Sequence, residues 1–236
     1  MIEKVAIMQP YLFPNMGYYC LVHASNSFVF YDDVNYIKRG WINRNKILVN
    51  SELFTFSVPL NKGSQNQLIC NVKVNSLAEF NKKFLKTIYY SYHKAPFFDV
   101  GYNYIETVLD EDCGYISEIA KKSVSELYTL LGLNKKFYSS SVSFPNTKGM
   151  ERSERLINIT KSLGGTTYYN ALGGRDLYDS KDFMEYGVNL FFVKPHFSRY
   201  KQVGSQGFQE GLSIIDIIMN CPIDEIARML EKYELI

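Results

Sequence analysis

The hydrophobic pattern at the start of the chain predicts two short buried strands separated by a helix. Residues 5–8 and 28–31 are apolar runs of strand length. Between them, apolar residues recur at helical spacing over 17–25, after Pro10 and Pro14 have interrupted any regular structure. This order of strand, helix and strand predicts a βαβ unit.

The same two periodicities predict the rest of the fold. Residues 46–50 and 52–58 alternate as a hairpin around Asn50 and Ser51, and 68–74 is predicted to add a third antiparallel strand. Further strands are predicted at 137–143, 166–169 and 188–193. Helices are predicted at 77–92, 100–109, 115–131, 151–163, 212–219 and 223–233. The predicted class is α/β: a mostly parallel, Rossmann-like sheet flanked by helices, with an inserted antiparallel hairpin and a helical layer.

We expect a single α/β domain over 1–236, with 42–75 as the antiparallel insertion and 77–132 as the helical layer. The chain has 236 residues, 46% of them hydrophobic, which is enough for one sizeable core. Residues 61–67 are rich in Gly, Ser, Asn and Gln, so they predict an irregular loop that could serve as a lid.

Polar side chains gather where the first two predicted strands end. Gln9, Tyr11 and Asn15 follow the first strand, and Asp32 and Asp33 follow the second. Because open α/β sheets bind ligands at the carboxyl ends of their strands, we expect a site here. A carboxylate at this position could bind Mg²⁺ beside phosphates or take a proton from an amine. The structural alternative is a strand-end turn stabilised by a cap or an ion pair.

A basic and aromatic run follows at residues 38–46. It contains Lys38, Arg39, Trp41, Asn43, Arg44 and Lys46. Arginine forks suit a diphosphate, and an exposed tryptophan can stack on a base. A solvated edge strand or a short RNA-binding strand would show the same pattern. Phosphate or sugar binding is the preferred interpretation.

Three further features carry possible chemistry. His196 follows a predicted buried strand, and histidine is the side chain most often used as a general base. Gly173 and Gly174 precede Arg175 and would let backbone N–H groups approach a ligand. The 19 Tyr and 16 Phe suit a sugar-binding cleft, although a large aromatic core explains most of them. The tyrosines placed in the right stretch are Tyr11, Tyr18 and Tyr36.

Composition excludes several classes of function. A net charge of +2 gives no general preference for nucleic acid or anionic membrane, so we expect no stable nucleic-acid partner. The four cysteines are scattered without a C-x-x-C pair, so neither a zinc site nor a redox motif is predicted. No apolar run reaches the length of a transmembrane helix, and the N-terminal residues lack a signal-peptide pattern. A cytoplasmic location is therefore expected.

The residues from Phe13 to Tyr18 resemble part of an enzyme motif. The layout of strand, F-P-x-x-G-Y and helix is similar to the strand, P-x-H-x-G-H, helix layout of adenylylating nucleotidyltransferases such as pantothenate synthetase. Asn15 and Tyr18 stand roughly where the two histidines would be. The resemblance implies a variant in which ATP with Mg²⁺ activates an amino acid, with Gly17 and Tyr18 at the α-phosphate.

Three longer runs, at 8–18, 28–47 and 208–220, resemble the WbqC-like proteins. This resemblance extends over nearly the whole chain. It implies a place in bacterial O-antigen or related surface-polysaccharide assembly, where an acyl or glycine transfer to amino sugars has been suggested for the family. The sequence departs from the family pattern at Asn15, Asn26 and Asn35, where tyrosine, aspartate and glutamine are often found.

Together these features predict an enzyme of surface-glycan (O-antigen) biosynthesis. It would transfer an acyl or aminoacyl group, such as glycyl, to the amino group of a nucleotide-linked deoxyamino sugar. The donor is open between an acyl donor such as acyl-CoA and an amino acid with ATP and Mg²⁺. The alternatives are an adenylylating ligase and a non-catalytic nucleotide-sugar-binding protein.

Each candidate residue has an expected role in this reaction. Asp32, Asp33 and His196 form the catalytic set, with Asp32 or His196 as the base. Gln9 and Asn43 would orient the substrate, and Arg39, Arg44 and Arg175 would clamp the diphosphate. The complete predicted binding set is Gln9, Tyr11, Asn15, Gly17, Tyr18, Tyr36, Lys38, Arg39, Trp41, Asn43, Arg44, Gly173, Gly174 and Arg175; no metal ligand is predicted.

Overall fold

The computed structural model describes residues 3–109 and 113–236. Its regular elements include most of the predicted strands and helices, together with several that the sequence pattern did not reveal. In chain order they are β1 (Glu3–Met8), α1 (Met16–Ala24), β2 (Ser27–Phe30), β3 (Arg44–Val49), β4 (Glu52–Ser57), α2 (Leu77–Tyr92), α3 (Phe98–Val108), α4 (Ile116–Leu130), β5 (Lys136–Ser139), α5 (Ser140–Ser143), α6 (Arg152–Ser162), β6 (Gly165–Ala171), α7 (Ser180–Met184), β7 (Asn189–Pro195), α8 (Ile214–Asn220), α9 (Ile223–Leu230) and β8 (Tyr233–Leu235).

The main sheet has six strands in the order β5-β2-β1-β6-β7-β8. All neighbouring pairs are parallel except β7 and β8, which are antiparallel. The chain builds outward from β1 to β2 and β5, then returns to the other side of β1 for β6 and β7. This return creates a topological switch point beside β1, the position where doubly wound sheets bind ligands. The predicted α/β class and mostly parallel sheet are confirmed.

Alternating side chains along the strands divide the core between the two faces of the sheet. Ala6, Phe28 and Tyr169 belong to a first core cluster, which also contains the buried residues of α1, α4, α8 and α9. Val5 and Tyr168 belong to a second cluster with the buried residues of α6 and α7. Neighbouring positions therefore point to opposite faces, as strand geometry requires.

The inserted hairpin is also confirmed. Strands β3 and β4 pair antiparallel from Arg44 opposite Ser57 to Val49 opposite Glu52, in a two-stranded sheet separate from the main one. Asn50 and Ser51 both have positive φ, as a tight two-residue hairpin turn requires. No helix within the described ranges is long and apolar enough to cross a membrane.

Several predicted boundaries were wrong. Residues 68–74 form no strand; they contain a 3₁₀ turn at Ile69–Asn71 flanked by isolated bridges. The strand predicted at 137–143 ends at Ser139, where α5 begins. Helix α7 and strand β8 were not predicted, because each is too short to show a periodicity.

Candidate active site at the carboxyl edge of the sheet

The carboxylate of Asp32, directly after β2, is completely buried and surrounded by donors. Its Oδ2 accepts hydrogen bonds from Lys121 Nζ at 3.0 Å and from Ser141 Oγ at 3.0 Å. Its Oδ1 accepts from the Ser141 N–H at 3.0 Å and from Ser140 Oγ at 3.2 Å. The first residues of α5 and one lysine of α4 therefore satisfy both oxygens of Asp32.

Asp33 is paired from the other side of the sheet. Its Oδ2 lies 2.6 Å from Arg155 Nη2, and its Oδ1 accepts from the Ser140 hydroxyl. Arg155 is itself buried on α6, donates from Nε to Thr147 Oγ1 at 3.1 Å, and lies over the ring of Tyr31 at 4.7 Å. Good geometry and additional hydrogen bonds are what a buried ion pair needs to offset its desolvation.

This environment favours a structural role for both carboxylates. A general base must reach the proton it removes, and Asp32 has no exposed surface and no free oxygen. The same contacts join the end of β2 to β5, α4 and α6. These contacts indicate that Asp32 and Asp33, the predicted catalytic residues, stabilise the carboxyl edge of the sheet.

The loop between β1 and α1 contains a strained residue. Phe13 is fully buried and has a φ of 42°, in the left-handed region that bulky residues avoid. Its N–H donates to Ser123 Oγ at 2.9 Å, and its carbonyl accepts from Asn45 Nδ2 at 2.9 Å and Ser213 Oγ at 2.8 Å. Such a conformation costs about 1–3 kcal/mol and persists only where the surroundings impose it.

The run at 38–46 packs against this loop. The Leu12 N–H donates to the Trp41 carbonyl at 2.9 Å, and the Ser213 N–H donates to the Lys46 carbonyl at 2.8 Å. Asn43 is used within the hairpin: it accepts from the Tyr36 hydroxyl at 2.8 Å and donates to the Val58 carbonyl at 2.9 Å. Asn43 and Tyr36 are therefore structural partners of each other.

The basic residues of the run differ in their surroundings: some are bonded to the backbone, and others are exposed to solvent. Arg44 donates to the backbone carbonyls of Gly40 and Arg39, so its fork is occupied. Lys38 and Arg39 are exposed. Trp41 is 37% exposed, with the charged groups of Arg44 and Lys46 each 5.6 Å from its ring. The exposed part of the Trp41 ring and these two half-buried cationic groups can contact a ligand.

The predicted binding residues of the first turn have packing roles. The buried Tyr18 donates its hydroxyl to the Gln9 carbonyl at 3.0 Å and lies 5.4 Å from the ring of Tyr11. Burial raises the pKa of both tyrosines. Asn15 caps α1 by accepting from the Tyr18 N–H at 3.3 Å. A β-carbon at Gly17 would lie 3.1 Å from the Pro195 side chain, so this helix start is covered.

The glycine pair and Arg175 lie in a 3₁₀ turn after β6, at Leu172–Leu177. Gly174 is required there, because a β-carbon would lie 2.5 Å from Asn170 Nδ2, whereas nothing crowds Gly173. Arg175 is exposed and lines an open cleft of about 630 Å³. Its neighbours Leu172 and Tyr178 pack with the second core cluster, so its surroundings are not those of Arg39 and Arg44.

His196 is the accessible member of the predicted catalytic set. It follows β7, its side chain is 54% exposed, and its Nε2 lies 3.9 Å from Glu234 Oε2 on β8. The His196 N–H donates to the Lys232 carbonyl at 2.8 Å, which fixes the backbone. The exposed imidazole of His196 can contact a bound ligand, whereas the buried carboxylates of Asp32 and Asp33 cannot.

Comparison with known proteins decides the family. The model of the WbqC-like protein family matches residues 9–228, nearly the whole chain. The protein belongs to the WbqC-like family. The uncharacterized protein Rv1507c of Mycobacterium tuberculosis is 27% identical over 221 residues, which cover 92% of this chain and 94% of that protein. No solved structure has a significant match.

This WbqC-like protein contains a third buried carboxylate, Asp216, which sequence analysis missed. Asp216 on α8 accepts from the hydroxyls of Tyr92 at 2.8 Å and Tyr200 at 2.7 Å, and from Gln202 Nε2 at 3.0 Å. Burial raises its pKa, although the three donors oppose that effect. Asp216 thus joins α8 to α2 and to the irregular segment after His196.

The other missed residues are isolated polar positions on amphipathic helices. Lys121, Ser123 and Arg155 reach the site from α4 and α6, at positions distant in sequence from the residues they bind. No motif surrounds any of them. The one available signal was the presence of a charged or hydroxyl side chain on the inward face of a predicted helix.

Proposed function

We propose that the protein is an enzyme of bacterial surface-glycan assembly. It transfers an acyl or aminoacyl group to the amino group of a nucleotide-linked deoxyamino sugar. Membership of the WbqC-like family supports the pathway, which the resemblance of the three motif runs implies. The Rossmann-like strand order supports a nucleotide-linked substrate at the switch point beside β1.

One observation carries this proposal. The three motif runs, at 8–18, 28–47 and 208–220, meet at the single carbonyl group of Phe13 through Asn45 and Ser213. Strained, over-determined backbone is concentrated at active sites and ligand clamps. The three motif runs therefore pack together at one place, the carboxyl edge of the sheet. They are not three separate parts of the core.

The proposed chemistry needs a proton acceptor near the amine. The amine nitrogen attacks the acyl carbonyl carbon, the C–N bond forms, the bond from the acyl carbon to its leaving group breaks, and the amine loses a proton. We assign proton removal to His196, because Asp32 and Asp33 are buried and fully bonded. General-base catalysis contributes about 10²–10⁴-fold in rate.

The adenylylating alternative receives less support. It would place ATP at the first turn of α1, where Pro195 and Phe197 cover Gly17 and the hydroxyl of Tyr18 is engaged with Gln9. Direct transfer from an acyl donor such as acyl-CoA requires no nucleotide at that turn.

The test is a product assay by mass spectrometry. Nucleotide-linked amino sugars are incubated with acyl-CoA donors, or with glycine, ATP and Mg²⁺. We expect an added acyl mass on the amino sugar, and about a 100-fold lower rate for His196→Ala. His93→Ala is the matched control, because His93 is exposed at the end of α2. Saturable sugar binding without product would identify a binding protein, whereas pyrophosphate release dependent on an amino acid would favour the adenylylating reaction.

A further inference from the structure

Polar side chains flank His196 on one face of the strand pair β7 and β8. The two strands pair antiparallel, with Lys194 opposite Glu234. The His196 N–H donates to the Lys232 carbonyl at 2.8 Å, so the pairing continues one position beyond β7. Because side chains alternate between the faces of a strand, Lys194, His196 and Glu234 share a face, whereas Pro195 points to the other.

The backbone of His196 is held against the start of α1. Phe197, the next residue, packs with the first core cluster. A β-carbon at Gly17 would lie 3.1 Å from the Pro195 side chain and 3.3 Å from the Phe197 ring. The residues on either side of His196 therefore cover the first turn of α1. Packing fixes the backbone that carries the imidazole, and the imidazole itself points to the opposite face.

Glu234 contacts two basic side chains with its two oxygens. Its Oε1 lies 2.7 Å from Lys194 Nζ, and its Oε2 lies 3.9 Å from His196 Nε2. The first distance is that of a charge-assisted hydrogen bond, and the second is that of an ion pair without a hydrogen bond. The hydrogen bond from Lys194 and its charge lower the pKa of the Glu234 carboxyl, and the charge of His196 adds to this effect. Glu234 is therefore ionised at neutral pH.

The imidazole of His196 has one nitrogen toward this carboxylate and one without a partner. Across residues 3–109 and 113–236, Glu234 is the one side chain in polar contact with the ring. On the far side, the Lys232 ammonium is engaged with Ser198 Oγ at 2.9 Å. Since Nε2 faces the carboxylate, Nε2 carries the hydrogen of the neutral ring, and Nδ1 is the nitrogen that can accept a proton.

We propose that Glu234 is a positioning residue that prepares His196 to act as the base of the proposed transfer. Nδ1 of His196 accepts the proton that the attacking amine loses, and Glu234 stabilises the imidazolium so formed. Lys194 orients the carboxylate of Glu234, while its positive charge opposes the charging of the ring. The use of His196 as a base rests on the proposed function, whereas its pairing with Glu234 does not.

The charges around the ring predict opposite effects of two substitutions. Glu234→Gln removes the negative charge that favours the imidazolium, so the ring should lose its proton at a lower pH. Lys194→Met removes a positive charge, so the ring should lose its proton at a higher pH. The charged residues of the neighbouring segments stay the same in both variants; they are Arg175, Asp176, Asp179, Arg199, Glu231 and Lys232. Because the neutral ring is the base, the acidic limb of the pH–rate profile should move in the same directions.

Nuclear magnetic resonance of the full chain labelled with ¹⁵N-histidine measures the titration of the ring without any substrate. The chain has three histidines, and His196→Gln assigns the signals of this one. We expect the midpoint to fall in Glu234→Gln and to rise in Lys194→Met, and both shifts to shrink in about 1 M salt. Glu106→Gln removes an equal charge from an exposed position on α3 and should leave the midpoint unchanged.

The transfer assay tests the positioning role. We expect Glu234→Gln to lower kcat by about 2–5-fold, because an exposed ion pair has a modest effect, and to leave the KM for the amino sugar unchanged. Glu106→Gln should change neither constant.

The outcomes separate the pair from the function. An unchanged midpoint in Glu234→Gln, or a shift no larger than that in Glu106→Gln, would overturn the pairing. Opposite midpoint shifts in Glu234→Gln and Lys194→Met without any product would support the pairing and overturn its use in the proposed transfer. Product formation with the same kcat and pH profile in Glu234→Gln would overturn the positioning role and leave the proposed function intact.

Discussion

The hydroxyl of Ser213 donates a 2.8 Å hydrogen bond to the carbonyl of Phe13, across a sequence separation of 200 residues. The same carbonyl accepts from Asn45, and the N–H of Phe13 is bonded to Ser123. Three segments of the chain thus impose the left-handed conformation of Phe13 in the loop after β1. The strain is local, but the groups that maintain it come from both ends of the sequence.

Removing these donors should destabilise the fold unequally. Asn45 donates to the carbonyls of both Leu12 and Phe13, whereas Ser213 shares its acceptor with Asn45. We expect Asn45→Ala to lower the free energy of unfolding by about 2–3 kcal/mol and Ser213→Ala by about 1 kcal/mol. Urea unfolding measures both, with Asn103→Ala on the exposed face of α3 as a control that should change little. Equal small losses in both variants would show that the loop conformation does not depend on these bonds.

The buried pair of Asp33 and Arg155 should be sensitive to loss of one partner. Asp33→Ala leaves a buried guanidinium without its carboxylate, so we expect a loss of about 3–5 kcal/mol in the free energy of unfolding. The double variant Asp33→Ala with Arg155→Met should recover part of that loss. Arg228→Ala breaks the exposed pair with Asp224 and should leave the unfolding midpoint unchanged. Strictly additive losses in the double variant would contradict a coupled pair.

Asp216 should make stability fall as the pH rises. Burial raises the pKa of its carboxyl in the folded state, so the folded protein keeps a proton that the unfolded chain releases. The resulting stabilisation is complete below the unfolded pKa of about 3.9 and is lost as the pH rises through the higher folded pKa. Wild type should therefore lose stability relative to Asp216→Asn as the pH rises above about 4. If wild type instead gains stability relative to the variant as the pH rises, the three hydrogen-bond donors outweigh burial in their effect on the pKa of Asp216.

The fluorescence of Trp41 should report directly on ligand binding near the hairpin. It is the only tryptophan in the chain, is 37% exposed, and has the half-buried charged groups of Arg44 and Lys46 5.6 Å from its ring. A nucleotide-linked sugar that stacks there should quench its fluorescence in a saturable manner, and Arg39→Gln should weaken the apparent affinity by about 3–10-fold. Leu53→Ala on the exposed strand β4 is a control for the hairpin itself. Calorimetric binding without any change in fluorescence would place the ligand away from Trp41.

Local signals were sufficient for much of the fold. The spacing of apolar residues predicted α2 with its observed ends at Leu77 and Tyr92. The predicted turn at Asn50 and Ser51 correctly placed the hairpin of β3 and β4. Residues 140–143 continue an alternating pattern and were predicted as strand. They turn into a helix because the serines at 140 and 141 bind the buried carboxylates, which is a tertiary cause invisible to a local window.

The strand-end positions of Asp32 and Asp33 were predictable, but their contacts were not. Asp32 and Asp33 were correctly expected after the second strand, because strand ends follow from the apolar pattern. Their partners Lys121 and Arg155 lie 89 and 122 positions away on helices, and nothing in those helices distinguishes a partner of a carboxylate from a solvated charge. The sequence therefore indicated at which edge of the sheet these carboxylates lie, whereas the structure showed that both are already paired.

The contact between Phe13 and Ser213 also bears on the order in which parts of the fold can form during synthesis. The first βαβ unit leaves the ribosome early, yet the Phe13 carbonyl in its strained loop lacks its Ser213 partner until the segment before α8 has emerged. Strand β1 likewise waits for β6 before both of its edges are paired. A chain truncated before residue 213 would keep most of the sheet and lose the Ser213 hydrogen bond that helps to hold the Phe13 loop.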